Sequence, residues 1–153
     1  MTQRTVNESK VELTELVMPN DTNPLGNCMG GRVMHFMDIA AAIAARRFTR
    51  RQCVTAAVDE IDFHQAVPMG SVLVMKASVN NAGRTSMEIG VRAELELTRT
   101  GERLHCASAY FTFVALGDDG RPTAVPKLVT EGEIQDRRAR EAKARRERRL
   151  KHL

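Results

Sequence analysis

Residues 20–45 read NDTNPLGNCMGGRVMHFMDIAAAIAA, and this stretch decides the fold. Its first part is dense in Asn, Asp, Pro and Gly, a composition typical of a loop. From Gly31 to about Phe48 the sequence predicts a helix with almost no polar surface before Arg46 and Arg47. A helix that is apolar on nearly every side is covered by other elements rather than lying on a surface. We therefore expect one buried central helix.

Every predicted element of the body after this helix is a β-strand. The candidate strands alternate apolar and polar residues or form apolar runs, and short turns rich in Gly and Asn separate them. They are residues 11–18 before the helix and residues 53–64, 71–79, 86–97 and 104–116 after it. Short turns indicate antiparallel pairing. One sheet with a single helix to cover it predicts an α+β fold, in which five antiparallel strands wrap around one long central helix.

The length of 153 residues is most simply that of one domain. We divide the chain into a polar segment at residues 1–10, a folded domain at residues 11–130 and a basic tail at residues 131–153. The tail carries the excess positive charge that gives the chain its net charge of +4. It has oppositely charged residues four apart but no apolar stripe, so it predicts a solvated helix. A solubilising or oligomer-bracing role is favoured over binding of nucleic acid.

Composition also bears on location and assembly. No apolar run approaches the roughly 20 residues that a membrane-spanning helix needs, and the N-terminus MTQRTVNESK lacks the apolar stretch of a signal peptide. A cytoplasmic protein is therefore expected. Three cysteines, Cys28, Cys53 and Cys106, without CxxC spacing disfavour a disulfide framework or a structural zinc site. A sheet covered by one helix leaves an open edge and apolar surface, so we expect at least a dimer.

The predicted helix carries one carboxylate, Asp38, among apolar neighbours. Burial of an ionised carboxylate is costly unless it is paired or hydrogen-bonded. Gly30 and Gly31 begin the helix, where unpaired N–H groups favour a negative oxygen, and Asn23 and Asn27 lie just upstream. A carboxylate, an oxyanion site and amide side chains suit acyl transfer to water. An aspartate that simply reaches solvent at the rim of the helix is the alternative.

Several motifs occur in order along residues 11–130: VMPNDTNPLGNCMGG with MD on the helix, then VTAAVDEIDFH, GRTSMEI and ASAYFTFVAL. They resemble the hotdog-fold acyl-CoA thioesterases, in particular the acyl-CoA hydrolase branch that includes the YciA-type enzymes and the cytosolic and brown-fat acyl-CoA hydrolases. The resemblance implies the hotdog fold and hydrolysis of fatty acyl-CoA to the free acid and CoA. It implies homo-oligomers, commonly trimers of dimers. We expect no cofactor, because coenzyme A is part of the substrate and product, and no metal, because the CoA thiolate is a good leaving group.

The resemblance further implies roles for individual residues. Asp38 matches the catalytic aspartate of the family, acting as general base or as nucleophile. Asn23 matches the second catalytic position, which the other subunit supplies. The Gly31 backbone N–H, beside Gly30 and Asn27, is the expected oxyanion donor.

A turn of four residues, Gly83, Arg84, Thr85 and Ser86, matches the turn that the family associates with binding of CoA. An ordinary hairpin turn with a solvated arginine explains the same residues. Two other functions also remain open. One is a regulatory hotdog protein that binds acyl-CoA without turnover, and the other is a hotdog hydratase or dehydratase. Asp38 disfavours the regulator, and the absence of a dehydratase pattern around the helix disfavours the second.

Overall fold

The computed structural model describes residues 2–152. The elements along the chain are β1 (Gln3–Thr5), α1 (Val6–Ser9), β2 (Val11–Leu16), a 3-10 turn (Pro19–Asp21), α2 (Gly30–Thr49), β3 (Cys53–Phe63), β4 (Val72–Ala82), β5 (Ser86–Glu96), β6 (Arg103–Ala115), β7 (Lys127–Val129) and α3 (Glu133–Lys151). The predicted central helix and the five predicted strands are all present, with ends that differ by a few residues. No helix within this range is both long and apolar enough to cross a bilayer.

The main sheet has the strand order β2-β4-β5-β6-β3, and each neighbouring pair is antiparallel. Its concave face wraps around α2. The residues of α2 that have no exposed surface at all are Met37, Ala40, Ala41, Ala44, Ala45 and Phe48. Because alanine side chains are small, the backbones of the sheet can approach the helix closely on several sides. The predicted α+β architecture of a sheet wrapped around one helix is therefore confirmed.

Strand β3 forms one edge of this sheet and pairs only with β6 in the described chain. Its pairing register shifts twice, between Thr55 and Ala57 and between Asp59 and Asp62. All of its residues are exposed or half-buried, and the large apolar side chains Val54 and Phe63 are exposed. A long edge strand with exposed apolar side chains is suited to pairing with another chain.

Residues 3–9 form a strand and a helix, although the sequence predicts only a polar segment at residues 1–10. Strand β1 pairs in parallel with β7, so the chain ends of the domain lie together. Helix α1 begins with a capping box, in which Thr5 and Glu8 each accept a backbone N–H of the other. Ser9 is buried and its hydroxyl accepts the backbone N–H of Val79 at 2.9 Å, which fixes α1 to β4.

The predicted C-terminal helix is present as α3 and most of its residues are exposed, but it is not free in solvent, because it packs on the outer face of the sheet. Its anchor is Arg145, whose Nε and Nη2 each lie 2.9 Å from a carboxylate oxygen of Glu88 on β5. Asn80 donates to the same carboxylate at 2.9 Å, and the guanidinium lies 3.6 Å from the ring centroid of Tyr110. Arg145 and Glu88 are both less than a tenth exposed. Ala142 is the one buried apolar residue of α3, so the helix has no apolar stripe, and a search for apolar periodicity in the sequence misses its packing.

The buried pair predicts a large and specific loss of stability when Arg145 is truncated. Arg145→Ala leaves the Glu88 carboxylate buried with Asn80 as its remaining partner, and we expect the free energy of unfolding to fall by about 3 kcal/mol. Chemical denaturation at one fixed protein concentration measures this change. Arg138→Ala is the matched control, since Arg138 is exposed on the same helix and makes no ion pair within residues 2–152. Equal losses in the two variants would contradict the role of the anchor.

Candidate active site

Asp38 lies in the middle of α2, on the side of the helix that faces β3. Its Oδ1 accepts a hydrogen bond of 2.8 Å from the hydroxyl of Thr55. The sequence predicts a buried carboxylate, but in the single chain Asp38 is only partly buried. The reason is that β3 is an edge strand, so no further strand of the chain covers this side of the helix. The bond orients the carboxylate, and its Oδ2 has no partner within residues 2–152.

Thr55 is the residue of this site that sequence reasoning missed. It is the third residue of β3, and β3 runs back along α2 after a short turn. Such a strand passes the middle of the helix a few residues after the turn, because a strand advances faster per residue than a helix. Because threonine is common in strands, the residue type gave no signal. The hydrogen bond of Thr55 to Asp38 becomes evident only when the alignment of β3 along α2 is known.

The start of α2 presents free backbone N–H groups. The helix begins at Gly30, and its N-cap Met29 supplies no side-chain acceptor. The first N–H groups of a helix have no partner inside the helix. A Cβ at Gly30 would lie 3.5 Å from the ring of Phe63, whereas a Cβ at Gly31 would meet nothing within 4 Å. The backbone at Gly31 is therefore open to an approaching group.

The loop before α2 holds Asn23 in a fixed orientation. Its carboxamide oxygen accepts the backbone N–H of Leu25 at 3.0 Å and that of Asn27 at 3.2 Å. Because the oxygen is engaged, the NH₂ group is the part of the side chain that can donate to a ligand. Asp21 ties the loop to the helix, since its Oδ1 lies 3.0 Å from Arg32 Nε and its Oδ2 accepts the N–H of Met18.

A pocket of about 440 Å³ lies at this end of α2. Asn23, Asn27 and Gly30 line it, so the structure brings together three of the predicted site residues. Two buried cysteines also line it, and burial raises the pKa of the Cys28 thiol and that of the Cys106 thiol, the latter to about 11. Both thiols are therefore protonated at neutral pH, and neither is an activated nucleophile.

Asp38 does not line this pocket. It lies eight residues beyond Gly30 on the same helix, a separation of about 12 Å along the helix axis at 1.5 Å per residue. A single chain therefore keeps the predicted carboxylate apart from the pocket that holds Asn23. If Asn23 and Asp38 act together, they must therefore come from two different subunits, as predicted.

The four residues of the predicted CoA turn connect β4 to β5. The N–H of Gly83 donates to the carbonyl of Ser86 at 2.8 Å and closes the turn. The carbonyls of Arg84 and Thr85 accept the N–H groups of Val125 and Ala115, so the turn is fixed against the last residue of β6 and the segment after it. Arg84 is exposed. Since Ala115 pairs with Cys53 at the start of β3, this turn lies at the end of the sheet where α2 terminates.

Comparison with known proteins places this fold and sequence in one family. Residues 25–102 match the model of the thioesterase superfamily. A Bacillus subtilis protein named as an uncharacterised acyl-CoA thioester hydrolase, YkhA, is 40% identical over 126 residues, which cover 82% of this chain and 73% of that protein.

Solved structures agree with the sequence comparison. A Staphylococcus aureus acyl-CoA hydrolase variant in complex with coenzyme A is 33% identical, with a TM-score of 0.94 over 99% of this chain and 90% of the other. That hydrolase has also been solved with butyryl coenzyme A, and as alanine variants of an asparagine, an aspartate and a threonine. A hexameric acyl-CoA thioesterase is 36% identical, with a TM-score of 0.94 over 99% of this chain and 97% of the other.

The match of sequence over most of the chain and the match of fold over nearly all of it lead to one conclusion. This chain belongs to the thioesterase superfamily and has the hotdog fold.

Proposed function

We propose that the protein is an acyl-CoA thioesterase, which hydrolyses fatty acyl-CoA to the free acid and CoA. The observation that carries the proposal is the hydrogen bond of Thr55 to Asp38 on the open side of the central helix. It holds a carboxylate beside an edge that a second subunit can cover. The names of the similar proteins, acyl-CoA hydrolases and thioesterases, support this substrate class.

The variants of the Staphylococcus aureus hydrolase support the choice of residues. The asparagine, aspartate and threonine replaced by alanine in that protein follow one another in the same order and at the same intervals as Asn23, Asp38 and Thr55 here. Two of these three are the predicted catalytic residues, and the third is the hydrogen-bond donor to Asp38.

The site is proposed to form between two chains. Asp38 faces the unpaired edge of β3, and the pocket that contains Asn23 lies about two turns away at the mouth of α2. A second copy that adds its own β3 to this edge, related by a two-fold axis, brings the partner's Asn23 toward Asp38. The hexameric assembly named for a similar thioesterase favours a trimer of such dimers.

The mechanism follows from these positions. The thioester carbonyl lies at the mouth of the partner's α2, beside Asp38 of the first chain, and the partner's Gly31 N–H donates to its oxygen as negative charge develops there. Asp38 takes a proton from water, which adds to the carbonyl carbon, and collapse of this adduct breaks the C–S bond. Alternatively, Asp38 itself adds to that carbon, loss of CoA breaks the C–S bond and leaves an anhydride, and water then hydrolyses the anhydride. In both routes CoA leaves as a thiolate that takes up a proton. The partner's Asn23 donates its NH₂ to the water or the carbonyl.

The direct test is release of free CoA thiol from a panel of short to long acyl-CoAs. We expect wild type to turn over and Asp38→Ala to lose a hundredfold or more in kcat, which corresponds to about 2.7 kcal/mol of transition-state stabilisation. Glu102→Ala, which removes an exposed carboxylate from the turn between β5 and β6, is the control and should match wild type. If wild type binds acyl-CoA but releases no thiol, the protein is a regulator of the kind considered above and not a hydrolase.

Thr55 gives a second prediction. Thr55→Val keeps the shape of the side chain but removes the hydroxyl that donates to Asp38. A hydrogen bond to a charged group contributes about 1.5–3 kcal/mol, so we expect kcat to fall by about tenfold or more. KM should change little, because the bond positions the carboxylate and does not touch the substrate.

Thr55→Ser restores the donor and is the matched variant. We expect its kcat to lie within a few-fold of wild type. Equal losses for valine and serine would mean that the methyl group of Thr55 matters rather than its hydrogen bond.

A further inference from the structure

The C-terminal helix reaches the edge strand of the sheet as well as its middle. Arg149 of α3 donates from Nη1 to Asp59 Oδ2 of β3 at 2.7 Å. Arg148 donates from Nη2 to Glu60 Oε1, the next residue of β3, at 3.2 Å. All four residues lie outside the candidate active site. We call these two ion pairs the β3 clamp, because they join α3 to the strand that carries Thr55.

Of the two ion pairs, the one between Arg149 and Asp59 is the stronger. Its side chains are 25% and 31% exposed, whereas those of Arg148 and Glu60 are 61% and 48% exposed. An exposed ion pair contributes little, because water and salt screen it. A short charge-assisted hydrogen bond in a partly covered position contributes more. Arg149 is therefore the residue on which the clamp depends.

The buried anchor of α3 fixes Arg149 over β3. Arg149 follows Arg145 by four residues, so the two side chains leave the same face of the helix. Arg145 binds Glu88 on β5 and lies over the ring of Tyr110 on β6. Tyr110 is in turn the register partner of Asp59 on β3. The two arginines therefore tie three neighbouring strands, β5, β6 and β3, to one helix.

Strand β3 is weakly attached at the place where the clamp holds it. Its one neighbour in the described chain is β6, and that pairing is interrupted between Asp59 and Asp62. Glu60, within the interruption, has φ of 50°, in the left-handed region that residues other than glycine rarely adopt. A strained segment persists only when the surrounding contacts fix it. The clamp supplies such contacts at the two residues where the interruption begins.

The position of the clamp on β3 relates it to the Asp38 carboxylate. Thr55 lies four residues before Asp59, about 13 Å along the strand. Its hydroxyl donates to Asp38 Oδ1 at 2.8 Å. A hydrogen bond between two oxygens needs a separation of about 2.5–3.0 Å, so a small shift of β3 is enough to lengthen it beyond that range. The attachment of β3 to α3 therefore bears on the orientation of Asp38.

We propose that Arg149 is a positioning residue for the thioesterase reaction, which fixes β3 and so holds Thr55 in hydrogen-bonding contact with Asp38. The proposal rests on the proposed function, because it assigns a further residue to the same reaction. Arg149 contacts neither Thr55 nor Asp38, and its effect passes through the strand. The C-terminal helix then contributes to turnover as well as to stability.

Arg149→Ala should lower kcat for butyryl-CoA about threefold to tenfold and leave KM unchanged. The loss should not exceed that of Thr55→Val, because release of the clamp weakens the hydrogen bond to Asp38 and does not remove its donor. Arg149→Lys keeps a cation that can reach Asp59 and should lie within about twofold of wild type. Lys143→Ala is the control, because Lys143 is exposed on α3 and makes no ion pair within residues 2–152.

A double-variant series separates positioning from a general loss of structure. In a Thr55→Val background the hydrogen bond to Asp38 is already absent, so Arg149→Ala should lower kcat no further. If Arg149→Ala instead lowers kcat by its full factor in that background, the proposal is overturned. Asp59→Asn removes the charge at the other end of the ion pair. It should reproduce the kcat of Arg149→Ala, and the two changes together should lower kcat no more than either alone.

Amide hydrogen exchange keeps the test independent of turnover. In Arg149→Ala we expect faster exchange than in wild type within Cys53–Phe63 and unchanged exchange in β4 and β5, because only the edge strand loses an attachment. This result supports the fixing of β3 by Arg149 even if neither protein hydrolyses a thioester, in which case only the proposed function fails. Unchanged exchange in β3 means that the ion pair does not fix the strand, and the proposal is wrong.

Discussion

The packing of an alanine-rich helix inside a curved five-stranded sheet is the constraint on which the rest of the structure depends. Ala40, Ala41, Ala44 and Ala45 have no exposed surface, and their small size lets the strands approach α2 closely. Five strands cover much of the helix but not all of it, because β3 ends the sheet beside Asp38. The part left uncovered carries the one carboxylate of the helix. The core packing therefore determines the position at which a carboxylate is fixed on the helix and still accessible from outside the chain.

The N-terminus of the central helix has the electrostatic character that the proposed reaction needs. It offers free N–H groups at Gly30 and Gly31, which suit a developing oxyanion. Asp38 lies about 12 Å further along the same helix, too far to act on a carbonyl bound at its own Gly31. In the proposed site, a second chain therefore brings its own helix mouth to this Asp38.

The fold could be predicted from the sequence because α2 and the strands have strong apolar periodicity. The docking of α3 could not, since it depends on one buried arginine, Arg145, and its partner Glu88 lies 57 residues away. Within the site, Asn23, Asn27 and Gly30 were predicted from loop and helix-start chemistry, and the structure brings them to one pocket. Thr55 was missed, because its role depends on the register between β3 and α2 and not on any local pattern.

The central claim is that Asp38 and Asn23 act together from two chains, and mixing two inactive variants tests it most directly. Asp38→Ala and Asn23→Ala are each purified and then refolded together. In mixed dimers one site has both replacements and the other has neither, so random pairing should restore about a quarter of wild-type thiol release. Each variant refolded alone should stay inactive. If the refolded mixture forms mixed dimers but remains inactive, the two residues do not combine across subunits and the account is contradicted.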